Sequence, residues 1–240
     1  RSVLGHDLVA VGYDVGAVEA TAELGDGRAQ AHAVVSSSWA RYVGLDASLP
    51  LTLDGPLATP KLSPKAPISA RVELVDVELA GIGRLGPGPA IGGELEGTLD
   101  VGGTLRHPEL RGELTVERLR HAGKPLGDVR LRTGYDGEAL VARLEHRYVA
   151  AKMDAYGRVP LEVDLAAPAP TIAWHRERTH RLSAHVQGID QDLLGLLVDL
   201  PDDLRLQVAA RVEASGTATA PHATVQLRGH VQGPMDGALP

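Results

Sequence analysis

Apolar and polar residues alternate along several stretches of this chain. From Gly93 to Val101 the odd positions carry Gly, Leu or Val, and the even positions carry Glu, Thr or Asp; the alternation resumes from Leu110 to Glu117. Because the side chains of a β-strand point alternately to its two faces, each stretch predicts a strand with one apolar and one charged face. Strands buried on both faces would be continuously apolar, so the pattern favours a mainly antiparallel sheet with one face in water.

Further stretches extend this prediction to most of the chain. They are Leu8–Tyr13, Ala17–Leu24, Leu49–Leu53, Ser69–Leu79, Val129–Thr133, Ala139–Glu145, Val159–Leu165, Arg181–Gln187, Leu204–Ala214 and Thr224–Val231. Within Ser69–Leu79 the apolar phase slips after Leu74, which predicts a β-bulge. A turn is expected through Arg106-His-Pro-Glu109.

One segment has helical rather than strand periodicity. Between Asp190 and Pro201 the apolar residues are Leu193, Leu196, Leu197 and Leu200. Asp190 suits a helix N-cap and Pro201 a helix stop. We therefore expect one short amphipathic helix, which packs on the sheet or acts as a gate at its rim.

The composition narrows the function further. The 240 residues include no Phe and no Cys, and only 3% are aromatic. The absence of Cys excludes disulfides and thiolate metal sites. A core built almost wholly from Leu, Val and Ala favours an extended sheet over a compact domain. The net charge of −7 argues against a nucleic-acid partner.

The chain also contains an internal repeat. Three blocks recur in the same order at shifts of 110, 114 and 113 residues: Leu49–Asp54 with Val159–Asp164, Ala70–Leu79 with Ala184–Leu193, and Leu99–Pro108 with Val212–Pro221. Leu8–Asp14 also resembles Val129–Asp136. We therefore expect residues 1–46 to be the tail of a preceding repeat, 47–156 a complete repeat and 157–240 a second, truncated one, all within a longer protein. Such arrays stack neighbouring units into continuous surfaces.

The order of these motifs carries a family resemblance. A Pro-Leu-x-Leu element at Pro50–Leu53 precedes an Ala-x-Val-x-Leu-x-Asp element at Ala70–Leu79 and a Gly-x-Leu series at Gly93–Leu114. The order recurs, more loosely, at Pro160–Val163, Ala184–Leu193 and Leu206–Leu227. A Gly-Thr-x-x-x-Pro element ends the Gly-Leu series at Gly103–Pro108 and again at Gly216–Pro221. In these features the chain resembles the TamB (translocation and assembly module) and AsmA-like proteins of Gram-negative cell envelopes.

The resemblance implies a folded-over β-sheet, a half-pipe or taco, in the periplasm, with a membrane anchor outside this segment. The groove would shield phospholipid acyl chains on their way between the inner and outer membranes, supporting outer-membrane biogenesis, and an outer-membrane barrel would be a partner. No enzyme activity, cofactor or metal is expected. The expected groove-lining residues are Leu74, Leu95, Leu99, Val101, Leu110, Leu114, Val116, Val208 and Val212.

Other motifs favour structural roles. Gly81-Ile-Gly-Arg-Leu-Gly86 matches a dinucleotide-binding pattern, but Pro87 and Pro89 stand where the required helix would begin, so we expect a turn. His175, His180 and His185 are five residues apart and do not converge on one face of a strand or a helix. Lys61 and Lys65 lie in a Pro-rich segment that predicts an extended loop.

Two other functions fit the same pattern. One is an interaction scaffold that templates outer-membrane or autotransporter strands by adding them to a sheet edge. The other is a purely structural repeat whose apolar face is sealed and dry.

Overall fold

The computed structural model describes residues 2–5, 9–10, 13–14, 16–52, 61–83, 91–149, 151–166, 171–190 and 205–232. This part of the chain is nearly all β-structure, with one short helix. The strands are β1 (Ser2–Gly5), β2 (Val9–Ala10), β3 (Tyr13–Asp14), β4 (Ala17–Gly25), β5 (Arg28–Ser37), β6 (Ala40–Thr52), β7 (Lys61–Leu62), β8 (Ser69–Glu78), β9 (Ile91–Gly103), β10 (Pro108–His121), β11 (Lys124–Tyr135), β12 (Ala139–Tyr148), β13 (Ala151–Asp164), β14 (Thr171–Trp174), β15 (His180–Asp190), β16 (Arg205–Gly216) and β17 (Pro221–Gln232). The helix, α1, is Leu79–Gly83.

Fifteen of the strands form one antiparallel sheet in which neighbours in space follow one another in the chain. Its order is β1-β4-β5-β6-β8-β9-β10-β11-β12-β13-β15-β16-β17, with β7 added to β6 and β14 added to β13. Tight turns make the connections, as at Ala122 and Gly123, whose φ angles are 50° and 80° and suit a two-residue hairpin turn. The prediction of an all-β, mainly antiparallel sheet is confirmed.

The described residues pack only a small core. The buried apolar residues are few and lie mainly at the strand ends, namely Ala40, Ile68, Val77, Leu105, Tyr135, Ala139 and Ala151. The accessible surface is 16213 Å², whereas a globular monomer of 25.2 kDa would expose about 10,300 Å². This excess is the surface expected of a sheet of which much of both faces is open to solvent.

The predicted bulge is present in β8. The register of β8 on β9 shifts between Leu74 and Val77, and Asp76 between them has φ of 49°. An equivalent shift separates Val186 from Ile189 in β15, where Gly188 has φ of 67°. Positions 76 and 188 are 112 residues apart, so one local backbone geometry recurs at this spacing.

The hairpin after β9 has a counterpart after β16. In the first, the His107 amide donates to the Thr104 hydroxyl at 3.1 Å. In the second, the Ala220 amide donates to the Thr217 hydroxyl at 3.1 Å. The predicted turn thus occupies residues 104–107, and the same side-chain cap closes the hairpin 113 residues later.

Two backbone hydrogen bonds at the ends of β6 and β13 also recur. The amide of Leu51 donates to Gly27 at 3.0 Å and that of Leu161 to Glu138 at 3.1 Å. Similarly, Ser63 donates to Pro50 at 3.3 Å, and His175 donates to Pro160 at 3.2 Å. The strands β4 to β10 and β11 to β17 therefore follow one seven-strand pattern at a spacing of 110–113 residues. At the β8 and β15 bulges this spacing is 112, so the sequence match of Ala70 with Ala184 is two residues out of structural register.

Several sequence predictions differ from the structure. Leu8–Tyr13 was expected to be one strand, but Val9–Ala10 and Tyr13–Asp14 pair with each other as a separate two-stranded sheet. Lys61–Leu62, expected in a loop, pairs with β6. The Gly81 motif was expected to form a turn; its described residues, 81–83, end the short helix Leu79–Gly83, and the rest of the motif lies outside the described residues. The predicted helix at residues 190–201 lies outside the described residues except for its N-cap.

Candidate functional site

One face of the sheet is apolar from β4 to β17. The strand registers align one residue per strand into a continuous row with no polar side chain. This central apolar row is Val18, Val35, Val43, Leu74, Gly97, Leu114, Leu131, Leu144, Ala155, Ala184, Val212 and Val225. At about 4.8 Å between strands the row is roughly 50 Å long.

The predicted lining residues all lie on this face. Leu74, Leu114 and Val212 belong to the central apolar row itself. The others occupy parallel rows on either side, since Leu95 pairs with Val116 and Val101 with Leu110. Leu99 opposes Gly112, and Val208 opposes Ile189. The structure therefore places on one face of the sheet residues that are more than a hundred positions apart in the sequence.

The apolar face is accessible. Most of its central residues are half-buried, and the exposed fraction rises towards β17, where Val225 is 58% and Leu227 is 70% exposed. Near the other end of the sheet, Leu24, Leu45 and Leu49 are also exposed. At about 25 cal/mol per Å² of apolar surface, leaving such a face in water is costly, which favours an apolar occupant.

The opposite face is charged and internally neutralised. Arg132 bridges β10 and β12, with Nε 3.1 Å from Glu113 Oε1 and Nη1 3.4 Å from Glu145 Oε1. Arg71 Nη1 lies 3.2 Å from Asp100 Oδ1. These exposed pairs contribute little stability individually, but they pin the strand registers by placing opposite charges across neighbouring strands.

An open cavity of about 390 Å³ lies on this charged face over β4 to β9. Its walls include Glu23, Gln30, Ser48 and the pair His32 and Asp46, whose Nδ1 and Oδ1 are 2.7 Å apart. Each ionic side chain named in the pairs above already has a partner. The cavity is thus a well-solvated depression in the charged face, on the side away from the aliphatic residues.

Two interacting carboxyl groups, those of Asp76 and Glu96, lie on this face at the β8 bulge. A hydrogen bond with Asp76, burial and the negative charges of Asp76 and Glu117 together raise the pKa of Glu96, while Arg41 opposes the rise. Arg41 Nη2 lies 2.7 Å from Asp76 Oδ2. The bulge therefore concentrates negative charge at one point of the charged face.

The remaining sequence motifs are dispersed. His175 lies 3.6 Å from Glu162, His180 packs edge-on against Trp174, and His185 contacts Gln187. Among the described residues no group of three or more metal-ligating side chains converges. The part of the chain that the structure describes has no helix long and apolar enough to cross a bilayer. The predicted gate residues Leu193, Leu196, Leu197 and Leu200 lie outside the described residues.

Sequence reasoning missed two parts of this surface. Strand β5 carries Ala29, Ala31 and Ala33 on the apolar face, and its alternation with Gln30 and His32 was visible but weak because alanine contributes little to hydropathy. The short strand β14 was also missed. It places two large apolar side chains at the rim of the apolar face.

Comparison with protein families, with characterised proteins and with solved structures finds no match to this chain.

Proposed function

We propose that the chain is a segment of a periplasmic β-groove, of the TamB and AsmA-like kind, that shields phospholipid acyl chains during transfer between the inner and outer membranes. The observation that supports this function best is the central apolar row. It crosses twelve successive strands without one polar side chain. The membrane anchor and an outer-membrane barrel partner belong to the same proposal and would lie outside this segment.

The energetics of lipid transfer favour such a surface. Moving an acyl chain of some sixteen carbons through water exposes methylenes at about 0.8 kcal/mol each, or roughly 13 kcal/mol in total. An aliphatic row that continues from strand to strand would keep the acyl chain out of water at every step. Leu, Val, Ala and Gly offer neither hydrogen bonds nor rings that would hold a lipid at one place, which suits sliding.

We also propose that the segment contains two copies of one structural unit. The recurrence of the bulge, the capped hairpin and the two backbone hydrogen bonds supports this organisation. A third copy could add to the sheet by the same strand pairing, and the apolar row would simply lengthen. Each unit contributes six strands to the row, because β7 and β14 lie off it, so a further unit would add about 29 Å.

Site-specific photo-crosslinking tests the lipid-carrying function. Leu99 and Thr98 are adjacent in β9, both half-buried, and they face opposite sides of the sheet. In cells or in lipid extracts, a photoreactive residue at 99 should capture phospholipid, and the same residue at 98 should not. In the same way, a photoreactive residue at 95 or 114 should capture phospholipid, and one at 94 or 96 should not. Equal capture at both members of each pair would contradict the proposal.

A second candidate function rests on β17, which ends the described sheet. Its side chains from Pro221 to His230 are all exposed, and it has no Lys and no Pro after its first residue, the features that usually protect an edge. Such an edge could template an incoming strand of an outer-membrane protein or autotransporter by β-augmentation.

The two candidate functions predict different results for strand binding and for acyl cross-linking. If the edge carries the function, lipid-depleted protein binds unfolded barrel segments, and Gln226→Pro abolishes this binding while Gln226→Ala retains it. Acyl cross-linking at position 99 would then be absent in the wild type. If the apolar face carries the function, cross-linking at 99 is present and Gln226→Pro leaves it unchanged.

A further inference from the structure

The rim at β14 combines exposed apolar and basic side chains. Ile172 and Trp174 pair with Val163 and Leu161 of β13 and therefore point to the apolar side. They are among the most exposed large apolar residues described, at 74% and 51%. A free-standing edge with a Trp and an Ile in water is unfavourable unless a partner covers them.

Positive charge is concentrated next to these two residues. The segment from Thr171 to Arg181 contains three arginines and one Glu in a chain of net charge −7. Arg176, Arg178 and Arg181 are exposed, and none of them is ion-paired with a carboxylate of the described residues. Arg181 lies opposite Arg158 across the β13–β15 pair, and it faces the charged side of the sheet because it is three residues from Ala184 of the central apolar row. The negative groups nearby are Glu177 and Glu162, and the latter faces His175.

The indole of Trp174 is held in place at this rim. The Arg176 guanidinium lies 5.4 Å from the centre of the indole ring, within the range of a cation–π contact. The indole Nε1 donates to His180 Nδ1 at 3.4 Å. The ring is thus oriented with an arginine against it and its apolar edge exposed, an arrangement typical of residues at the boundary between hydrocarbon and headgroups.

We propose that Ile172, Trp174, Arg176 and Arg178, the basic corner, dock onto the surface of a bilayer that contains anionic phospholipid. The arginines bind lipid phosphates, which guanidinium groups recognise through paired hydrogen bonds. Trp174 and Ile172 enter the interfacial layer. The inference does not depend on lipid transport along the apolar face, since it concerns headgroups and the membrane surface rather than single acyl chains.

Vesicle binding tests this proposal with the full 240-residue chain. We expect binding to phosphatidylcholine vesicles that contain phosphatidylglycerol and none to phosphatidylcholine alone. Each arginine near an anionic surface contributes about a fivefold gain in affinity, so the double variant Arg176→Gln and Arg178→Gln should bind about twenty-five-fold more weakly. Raising the salt concentration should weaken the wild type in the same direction.

A matched control variant distinguishes the effect of the basic corner on binding from the effect of the net charge. Arg106 and Arg228 are exposed and lie outside the basic corner, so replacing both by Gln removes the same charge and should retain most of the binding. Circular dichroism of both double variants checks that the sheet is intact. Equal losses in the two variants would overturn the proposal, because binding would then follow net charge alone.

Fluorescence reports whether the corner enters the membrane. The chain has two tryptophans, so Trp39→Phe leaves Trp174 as the sole emitter, and lipids brominated on their acyl chains should quench it. Binding without quenching, or equally strong binding to the soluble polyanion heparin, would show a general anion site and overturn the proposal. Acyl cross-linking at position 99 should be unaffected by the arginine double variant, which keeps this test separate from that of the groove.

Discussion

Gly188 offers a direct test of the bulge that recurs in β8 and β15. Its φ of 67° lies in the left-handed region, where an L-residue costs roughly 1–2 kcal/mol. Replacing Gly by Ala also removes freedom from the unfolded chain, which offsets about 0.4–1 kcal/mol of that cost. We therefore expect Gly188→Ala to lower the free energy of unfolding by about 1 kcal/mol, measured as a lower urea midpoint at unchanged slope.

Gly157 on the neighbouring strand is the matched control. Its backbone is not left-handed, and an added Cβ would meet only Leu182 Cδ1 at 3.8 Å, an ordinary contact. Gly157→Ala should therefore stabilise the protein by up to about 1 kcal/mol, because Gly is unfavourable inside a strand. Midpoints that shift equally in the two variants would refute a left-handed bulge in β15.

The equivalent residue in β8 should tolerate the reverse change. Asp76 is a non-Gly residue with φ of 49°, so Asp76→Gly removes backbone strain of about 1–2 kcal/mol. It also removes the exposed pair with Arg41, which contributes about 0–1 kcal/mol, and it gives freedom back to the unfolded chain, which costs about 0.4–1 kcal/mol. We expect little net change in the free energy of unfolding, and a clear loss of stability would show that Asp76 is not in the same strained geometry as Gly188.

Three further outcomes follow from burial and from the two perturbed carboxyls. Val77 is 1% exposed, so Val77→Ala should cost about 2 kcal/mol by urea unfolding, and Val225→Ala, at an exposed site, less than half as much. The amides of Ala139 and Glu138 hold the pKa of Asp136 below its usual range. Its stabilisation is therefore fully present above about pH 4 and is lost as the pH falls through the lowered pKa, so Asp136→Ala should lower the melting temperature more at pH 7 than at acidic pH. The pKa of Glu96 is raised, so its ionisation destabilises the fold as pH rises; Glu96→Gln should raise the melting temperature at pH 7 and have no such effect at pH 4.

Most of the fold could be predicted from residue alternation because the sheet has two chemically distinct faces. Strands such as β9 and β10 alternate Leu or Val with Glu, Asp or Arg, and the bulge in β8 is visible as a slip in that phase. The alternation fails where the apolar residue is alanine, as in β5. It also fails at Leu79–Gly83, because a helix of five residues is too short to show a helical period.

The candidate surface could be predicted only in part. The nine predicted lining residues share a face because side-chain alternation and hairpin registers determine it. The basic corner could not be inferred, since β14 is four residues long and its pairing with β13 crosses a Pro-rich segment. The exposed fractions of its side chains and the orientation of Trp174 by Arg176 are properties of the folded rim.

The strand order has a consequence for how the protein is made. Apart from the added strands β7 and β14, each described strand from β4 onward pairs with its predecessor along the main sheet, so one of its partners is already synthesised when it appears. Folding rates are highest when contacting residues are close in sequence. A chain released gradually from one end, by a ribosome or through a narrow pore, can therefore fold hairpin by hairpin. A truncated chain should then keep native pairing up to its last complete hairpin, which amide hydrogen exchange on nested fragments would reveal.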